Sequence, residues 1–230
     1  MTKKKFAKLA AIFALGCALM LLATLAKKHR AKIEWNGQRC DIQNVNALDA
    51  QFARPYNKNL DRLGDVFAAL AIVGAAMPAA LTFFLSKDKR RAFEAACFDG
   101  FAFITCFLYS NSVHRILKTL AGRFRPYMYF PNPSAAGISS HDFYRSWPSG
   151  HSSTVFFSFA FLLGWLLWRN PNAKCKKFLL AAELLICAAT MALRMLSGNH
   201  FLTDVLSGAA IGFAASFAVF GVCCTCNSRD

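Results

Sequence analysis

The C-terminal part of the chain holds a histidine and an aspartate that together can make a nucleophile. His200 lies four residues before Asp204, and on a helix this spacing places both side chains on one face. An aspartate that binds one ring nitrogen of a histidine fixes the tautomer and leaves the other nitrogen free to attack. A structural His–Asp pair near a membrane interface is the alternative for these two residues taken alone.

A second stretch, residues 148–151, reads Pro-Ser-Gly-His and immediately precedes a long apolar run, which predicts a helix N-terminus there. The free N–H groups and positive dipole of such an end suit an anion. Gly150 permits close approach of the backbone, the Ser149 hydroxyl adds a donor, and His151 can give a proton to a leaving oxygen. A serine N-cap beside an incidental histidine is the simpler alternative.

Three basic residues, Lys118, Arg125 and Arg194, accompany these stretches. Arginine donates in a planar fork that suits phosphate oxygens, and lysine acts as a point charge. Taken singly, each is explained by anchoring at a membrane interface. Taken together with the histidines, the serine and the aspartate, they describe a site that binds a tetrahedral dianion, attacks its phosphorus with imidazole and protonates the leaving group. No carboxylate cluster suggests a metal, so we expect neither a metal nor another cofactor.

Six apolar runs must position these residues. Hydrophobic residues make up 56% of the 230 and charged residues 17%, against about 45–50% and about 25% in soluble domains, which excludes a disordered chain and a small disulfide scaffold. A bilayer core of about 30 Å needs about 20 helical residues. The sequence therefore predicts an all-α integral membrane bundle of six transmembrane helices, a single domain over residues 1–230 with its motif-bearing core at 114–226. The runs are Leu9–Ala26, Val66–Leu85, Ala95–Val113, Ser152–Trp168, Phe178–Leu193 and Val205–Cys226.

Clusters of lysine and arginine predict the orientation. They occur at residues 3–8, 87–91 and 169–177, which lie on one side of a six-span bundle, and that side is therefore cytoplasmic. The site then faces the extracytoplasmic side, which in a bacterium is the periplasmic or outer face of the inner membrane. Basic residues at 27–32 weaken this rule without reversing it. A cleaved signal peptide is the alternative for the first run, although the run exceeds the usual apolar length of about 7–15 residues.

The formal net charge of +15 has two interpretations. In a soluble domain it would suggest nucleic acid, but here the basic clusters separate uncharged runs, as cytoplasmic membrane loops do. We therefore expect the lipid bilayer as a partner and no nucleic acid. Among nine cysteines, only Cys40 lies in a long loop between apolar runs, so no outer disulfide framework is predicted. The cluster Cys223, Cys224 and Cys226 is interpreted as part of a reduced cytosolic tail.

Several further residues are interpreted as structural. His29, His114 and His141 match no motif and are taken as loop or interface histidines. For Asp99 and Glu183, which lie inside apolar runs, a functional and a structural role remain equally open.

Small and aromatic residues add two expectations about packing. Gly208, Gly212 and Ser216 continue the four-residue spacing of the His–Asp pair and predict close helix packing there. The aromatic residues between Phe124 and Trp147 suggest an interfacial belt, a lipid-lined entrance, or both.

The sequence resembles the type 2 phosphatidic acid phosphatase superfamily, which also includes glucose-6-phosphatases and vanadium haloperoxidases. The family motifs are Lys-x6-Arg-Pro, Pro-Ser-Gly-His and Ser-Arg-x5-His-x3-Asp. Residues 118–126 and 148–151 match the first two completely. Residues 194–204 match the third in its Arg, His and Asp, but Leu193 stands where the family usually has serine, so that hydroxyl is missing near the phosphate.

The resemblance implies a role for each matching residue. His200 is implied as the nucleophile that forms a phosphohistidine, with Asp204 orienting it and stabilising its charge. His151 is implied as the acid for the leaving alcohol and then as the base for the incoming water. The residues implied to hold the phosphate oxygens, without a metal, are Lys118, Arg125, Ser149, Gly150 and Arg194.

The implied substrate is a membrane lipid that carries a phosphate monoester or a pyrophosphate and enters sideways from the bilayer. For a bacterial source the candidates are phosphatidylglycerophosphate, phosphatidic acid, undecaprenyl pyrophosphate and lipid A 1-phosphate, with a slight preference for the last. A non-catalytic transporter or scaffold on the same fold is the alternative. Because both motif histidines and the motif aspartate are present, and no inverted repeat is visible, the sequence favours the enzyme. It makes no prediction about oligomeric state.

Overall fold

Every long apolar run of the sequence forms a helix. The computed structural model describes residues 3–228, and the side chains of residues 6–225. Within this part of the chain, six helices are long and apolar enough to cross a membrane, so the prediction of an all-α, six-span bundle is confirmed. The helices are α1 (Lys3–His29), α2 (Ala47–Phe52), α3 (Lys58–Leu85), α4 (Lys89–Ala121), α5 (Ala135–Ser139), α6 (Gly150–Gly164), α7 (Lys176–Leu196) and α8 (Leu202–Ser228).

Helix α3 begins earlier than the hydropathy predicts. It starts at Lys58 because the Asn57 side chain caps it, accepting hydrogen bonds from the backbone N–H groups of Asn59 and Leu60 at 3.0 and 3.1 Å. The eight residues before the predicted apolar run, 58–65, are therefore helical as well. Hydropathy marks only the part of a helix that faces lipid, so the polar first turns were missed.

Helix α4 likewise continues past its apolar run, to Ala121. It ends at Gly122, whose φ of +65° is the left-handed conformation that commonly terminates helices. His114 and Lys118, which follow the predicted apolar run Ala95–Val113, therefore lie on the last turns of a long helix. One helical turn separates them, so both side chains lie on the same face.

Helix α6 occupies the centre of the bundle and packs against α3, α4, α7 and α8. Its closest neighbour is α8, and two glycines of α8 make this approach possible. A Cβ at Gly208 would overlap the carbonyl oxygen of Ser149, and one at Gly212 would overlap that of Ser153. The predicted small-residue packing along this stripe is confirmed. It holds the N-terminus of α6 against the first turns of α8.

The segments at 30–57 and 122–149 cover one end of the bundle, and we call them the cap. The backbone N–H of Cys40 donates to the carbonyl oxygen of Met128 at 3.0 Å, which joins the two segments. Aromatic side chains expected as an interfacial belt form the buried core of the cap instead, because they pack on one another. The buried aromatic members are Tyr127, Phe143 and Tyr144, which pack with Met128 and are surrounded by Trp35, Tyr56 and Phe124.

The opposite end of the bundle contains Asp99, whose structural role is now visible. Its carboxylate accepts hydrogen bonds from the Trp165 indole and the Arg169 guanidinium, both at 2.9 Å. Glu183 is buried in α7 against Gly74 of α3. None of the cysteines with described side chains forms a disulfide. Cys226, and the lysines at 3–5 used for orientation, lie outside the described side chains.

Candidate active site

A cavity of about 450 Å³ lies where α3, α4 and α6 meet the cap. It brings together residues from all three sequence stretches: Lys118, Arg125, Gly150, His151 and His200. Ala68, Ala69 and Ile72 of α3 add an apolar wall. A larger cavity of about 980 Å³ lies at the opposite end, between α1 and α4, and contains none of the predicted site residues.

His200 lies just before α8 and not in it, so the prediction that His200 and Asp204 share a helical face is wrong. The helix begins at Leu202 because the Asp204 carboxylate reaches back to the Phe201 backbone N–H at 2.9 Å and caps this end. The two side chains nevertheless meet. His200 Nδ1 lies 3.7 Å from Asp204 Oδ2, which is ion-pair range and longer than a hydrogen bond.

Asp204 is fully buried, and its carboxylate is held by three donors. Oδ2 accepts the Phe201 N–H and the Ser146 hydroxyl, the latter at 2.5 Å, and Oδ1 accepts Arg123 Nη1 at 2.6 Å. A buried carboxylate needs such partners, because an unpaired buried charge is strongly unfavourable. The donors also fix the orientation of the carboxylate beside the imidazole.

His200 is 1% exposed, and its Nδ1 atom has no hydrogen-bond partner among the described residues. Burial lowers the pKa of His200 well below its usual value, and the positive charges of Arg125, Lys118 and Arg194 lower it further. Its imidazole is therefore neutral at neutral pH, which is the form with a lone pair available for attack.

His151 lines the cavity from the first turn of α6. Its Nε2 atom lies 2.7 Å from Oδ1 of Asp65, a residue near the start of α3. A carboxylate at this distance orients the ring and stabilises a proton on it. Asp65 itself is 61% exposed, so this pair sits at the open side of the cavity.

The two motif arginines, Arg125 and Arg194, are each held by a carboxylate. Arg125 donates to the carboxylate and the carbonyl oxygen of Asp142, and to Asn199 Oδ1 at 2.7 Å. Arg194 donates to the Asp61 carboxylate, and lies 3.7 Å from that of Asp65. Arg125 and Lys118 line the cavity, whereas Arg194 does not.

The N-terminus of α6 is built as a helix cap. The Ser149 hydroxyl accepts the Ser152 N–H at 3.3 Å, and the Ser149 N–H donates to the carbonyl oxygen of Asp204 at 2.9 Å. Ser149 is buried and does not line the cavity, so here the hydroxyl acts as an N-cap and not as a donor toward the cavity. Gly150 does line it, and presents the start of the helix to the site.

His114 was interpreted as a loop or interface histidine, and that interpretation is wrong. It is buried on α4, one turn before Lys118, and lines the cavity. A Cβ at Gly150 would lie 3.2 Å from its Nε2 atom, so the ring packs directly against the start of α6. The four-residue spacing between His114 and Lys118 would have indicated that both lie on one helical face, but only if the predicted helix had reached residue 121.

Four carboxylates of the site were not predicted from the sequence. They contact the motif residues from outside the motifs, and their only sequence signal is an acidic residue in an otherwise basic outward segment. They are Asp49, Asp61, Asp65 and Asp142. Among the described residues, no group of three or more histidines, cysteines and acids is arranged to hold a metal ion.

A six-span bundle whose three motif stretches meet in one cavity has the architecture of a membrane phosphatase. A model of the PAP2 superfamily matches residues 99–225, which is more than half of the chain. The chain therefore belongs to the PAP2 superfamily, and the resemblance drawn from its motifs is confirmed.

Relatives and a solved structure agree with this family. The chain is 32% identical over 162 residues to the probable lipid phosphate phosphatase beta of Arabidopsis thaliana, covering 62% of this chain and 71% of that protein. It is 29% identical over 133 residues to a lipid A 1-phosphatase of Rhizobium johnstonii, covering 55% of this chain and 48% of that one. Its fold is similar to that of a transmembrane PAP2-type phosphatidylglycerolphosphate phosphatase from Bacillus subtilis, with a TM-score of 0.52 and 21% identity over 90% of this chain and 94% of that chain.

Proposed function

We propose that this protein hydrolyses a phosphate monoester or pyrophosphate on a membrane lipid, through a phosphohistidine on His200 and without a metal. The observation that carries the lipid substrate is the composition of the cavity. One wall holds Lys118, Arg125 and the two motif histidines, and the other is the apolar surface of α3. When a phosphate binds to the first wall, the second wall can contact the apolar part of the same lipid.

In the first step, the free ring nitrogen of His200 attacks phosphorus. The P–N bond forms as the bond between phosphorus and the lipid oxygen breaks, and His151 gives its proton to that oxygen. Asp204 stabilises the positive charge that develops on the His200 ring. Lys118 and Arg125 hold the phosphate oxygens, Arg194 adds a positive charge that acts on His200, and the α6 N-terminus adds its N–H groups.

In the second step, His151, now neutral, takes a proton from a water molecule. The oxygen of that water attacks phosphorus, the P–N bond breaks, and inorganic phosphate leaves with His200 restored to its neutral form. Asp65 orients His151 through both steps and stabilises its protonated form. The cations Lys118, Arg125 and Arg194 supply the charge stabilisation that a metal supplies in other phosphatases.

Among lipid phosphates, we favour lipid A 1-phosphate slightly, because one relative of this chain is named as a lipid A 1-phosphatase. Phosphatidylglycerophosphate, phosphatidic acid and undecaprenyl pyrophosphate are the alternatives.

We further propose that the site faces the extracytoplasmic side of a bacterial inner membrane. In a background without native cysteines, His141→Cys should react with an impermeant thiol reagent applied outside, and Lys174→Cys should not. Labelling of both from the same side would contradict this orientation.

The decisive experiment measures phosphate release by purified protein from a panel of lipid phosphates, with EDTA present. We expect release from one lipid class, inhibition by vanadate, and no release by His200→Ala. His29→Ala is the matched control, because His29 is exposed at the end of α1 and does not line the cavity. Labelled substrate should leave an acid-labile, alkali-stable phosphate on the wild type and none on His200→Ala. Full activity of a folded His200→Ala protein would rule the mechanism out.

A further inference from the structure

Asp49 lies in α2 of the cap, remote in sequence from every motif, yet it is fully buried beside the site. Its carboxylate accepts four hydrogen bonds: from Arg123 Nη2 at 2.6 Å, Asn46 Nδ2 at 2.8 Å, and the Thr203 N–H and hydroxyl at 2.9 and 2.6 Å. Burial alone would raise the pKa of Asp49, but the hydrogen bonds from Arg123 and Thr203 outweigh it and lower the pKa. Asp49 is therefore charged.

Arg123 is shared between two carboxylates. One guanidinium nitrogen donates to Asp49, and the other donates to Asp204 Oδ1 and to the Thr203 hydroxyl, at 2.6 and 2.8 Å. The guanidinium also stacks on the Phe201 ring, 4.3 Å from its centroid. Arg123 therefore contacts Phe201 and Thr203, which lie next to His200 and Asp204 in the chain. Together with the two carboxylates, these contacts fix the position of its guanidinium.

We propose that Asp49 and Arg123 are positioning residues for the His200–Asp204 pair. Arg123 fixes one oxygen of Asp204, and Asp49 balances the charge of Arg123, so that Asp204 keeps its negative charge available to His200. This inference rests on the proposed function, because it assigns Asp204 the task of stabilising a positively charged His200.

The electrostatic argument follows from the charges of three side chains. Asp204, Arg123 and Asp49 together carry one net negative charge, which attracts the cationic ring of a phosphorylated His200. Without Asp49 the arginine would neutralise Asp204, and without Arg123 two carboxylates would face the ring. The other charged or titratable groups near His200 are Lys118, Arg125, His151 and Arg194, with His114 and Asp142 lining the same cavity. Among the described residues, no hydrogen bond or ion pair joins any of them to Asp49 or Arg123.

The test measures the amount of phosphohistidine formed with labelled lipid phosphate in a rapid alkaline quench. Asp49→Asn should lower this amount about threefold or more, because the charged phosphohistidine loses net attraction. Arg123→Gln should raise it, because the phosphohistidine gains attraction and breaks down more slowly. The double variant should return toward wild type. Both single variants should lower kcat about tenfold or more, the size of effect that supporting residues commonly have, with KM nearly unchanged.

Matched controls come from the same cap. Asp41→Asn and Arg39→Gln make the same chemical changes at exposed positions outside the site, and should behave as wild type. Arg123→Lys keeps the charge but loses the fork, so its phosphohistidine level should stay near wild type while kcat falls. If Arg123→Gln does not fold, Asp49→Asn decides alone: a lowered phosphohistidine level at unchanged KM supports the proposal, and an unchanged level overturns it.

Failure of this inference differs from failure of the proposed function. If the wild type is active and His200→Ala inactive, but both single variants move the phosphohistidine level in the same direction or leave it unchanged, Asp49 and Arg123 have only a structural role. If the wild type hydrolyses no lipid phosphate, or if His200→Ala remains active, the proposed function fails and this inference fails with it.

Discussion

Two buried clusters, at opposite ends of the bundle, each join an arginine to an aspartate. At the cap end Asp204 accepts from Arg123, Ser146 and the Phe201 N–H. At the other end Asp99 accepts from Arg169 and Trp165. Both carboxylates are buried and well satisfied, so neither burial nor hydrogen bonding separates a site from a structural contact.

The difference lies in what each cluster faces. Arg169 stacks on the Phe98 ring, 4.9 Å from its centroid, and the Asp99 cluster joins α4 to residues 165–169, which directly follow α6. The Asp204 cluster faces His200, whose ring lines a cavity and whose Nδ1 atom has no hydrogen-bond partner in the part of the chain that the structure describes. A buried polar cluster is therefore suited to catalysis when it orients a side chain that lines a cavity and still has an unused hydrogen-bonding atom, as His200 does.

The largest effect on activity within this comparison is expected for Asp204→Asn. The substitution keeps the shape but removes the charge that stabilises a positive His200, so kcat should fall about 10²–10⁴-fold, as in other His–Asp pairs. Steady-state phosphate release with the best lipid substrate measures it. A loss below about threefold, in a protein that still binds vanadate, would show that Asp204 resembles Asp99 and is structural.

Much of the fold and part of the candidate site could be predicted from the sequence. The three motif stretches bring Lys118, Arg125, Gly150, His151 and His200 to one cavity, whereas Ser149, Arg194 and Asp204 do not line it. Six spans followed from hydropathy, because a bilayer requires long apolar helices. The glycines Gly208 and Gly212 could be interpreted correctly, since close packing requires small residues at regular spacing.

The partners of the motif residues could not be predicted. Asp49, Asp65 and Asp142 reach the site from separate segments, and such long-range pairing depends on how the cap folds over the bundle. His114 was missed because hydropathy ends α4 too early. The helical pairing of His200 with Asp204 was wrong because the aspartate caps the helix, which leaves the histidine outside it.

The next effect concerns the arginine fork. Arg125 contacts Asp142 twice and Asn199 once, so its guanidinium is already oriented toward the cavity. Arg125→Lys keeps the charge and loses the planar donor geometry. We expect kcat/KM to fall about 10–100-fold, somewhat less than for a lost oxyanion donor. Arg169→Lys is the comparison at the other end, and it should leave kcat/KM within about twofold.

A third expectation concerns pH and stability. The pKa of His200 in the folded protein is lowered by burial and by Arg125, Lys118 and Arg194, so the folded state binds fewer protons than the unfolded state below about pH 6.5. His200 therefore costs stability as the pH falls below that value, up to about 1.4 kcal/mol per pH unit. The thermal midpoint of the wild type should drop more between pH 7.5 and 5.5 than that of His200→Gln. His29→Gln should follow the wild type, and equal drops in all three proteins would contradict the burial argument.

The smallest effect on turnover is expected for Asp99→Asn. This substitution removes a charge from a buried pair whose arginine is itself only 25% exposed, and breaking such pairs is destabilising. Because asparagine can still accept one of the two hydrogen bonds, we expect a loss of about 1–3 kcal/mol, seen as a lower thermal midpoint in detergent. Asp88→Asn, at the exposed start of α4, should lower the thermal midpoint less than Asp99→Asn does. At a temperature where the variant stays folded, its kcat should equal that of wild type. A selective loss of kcat in folded protein would mean that the two ends of the bundle are coupled.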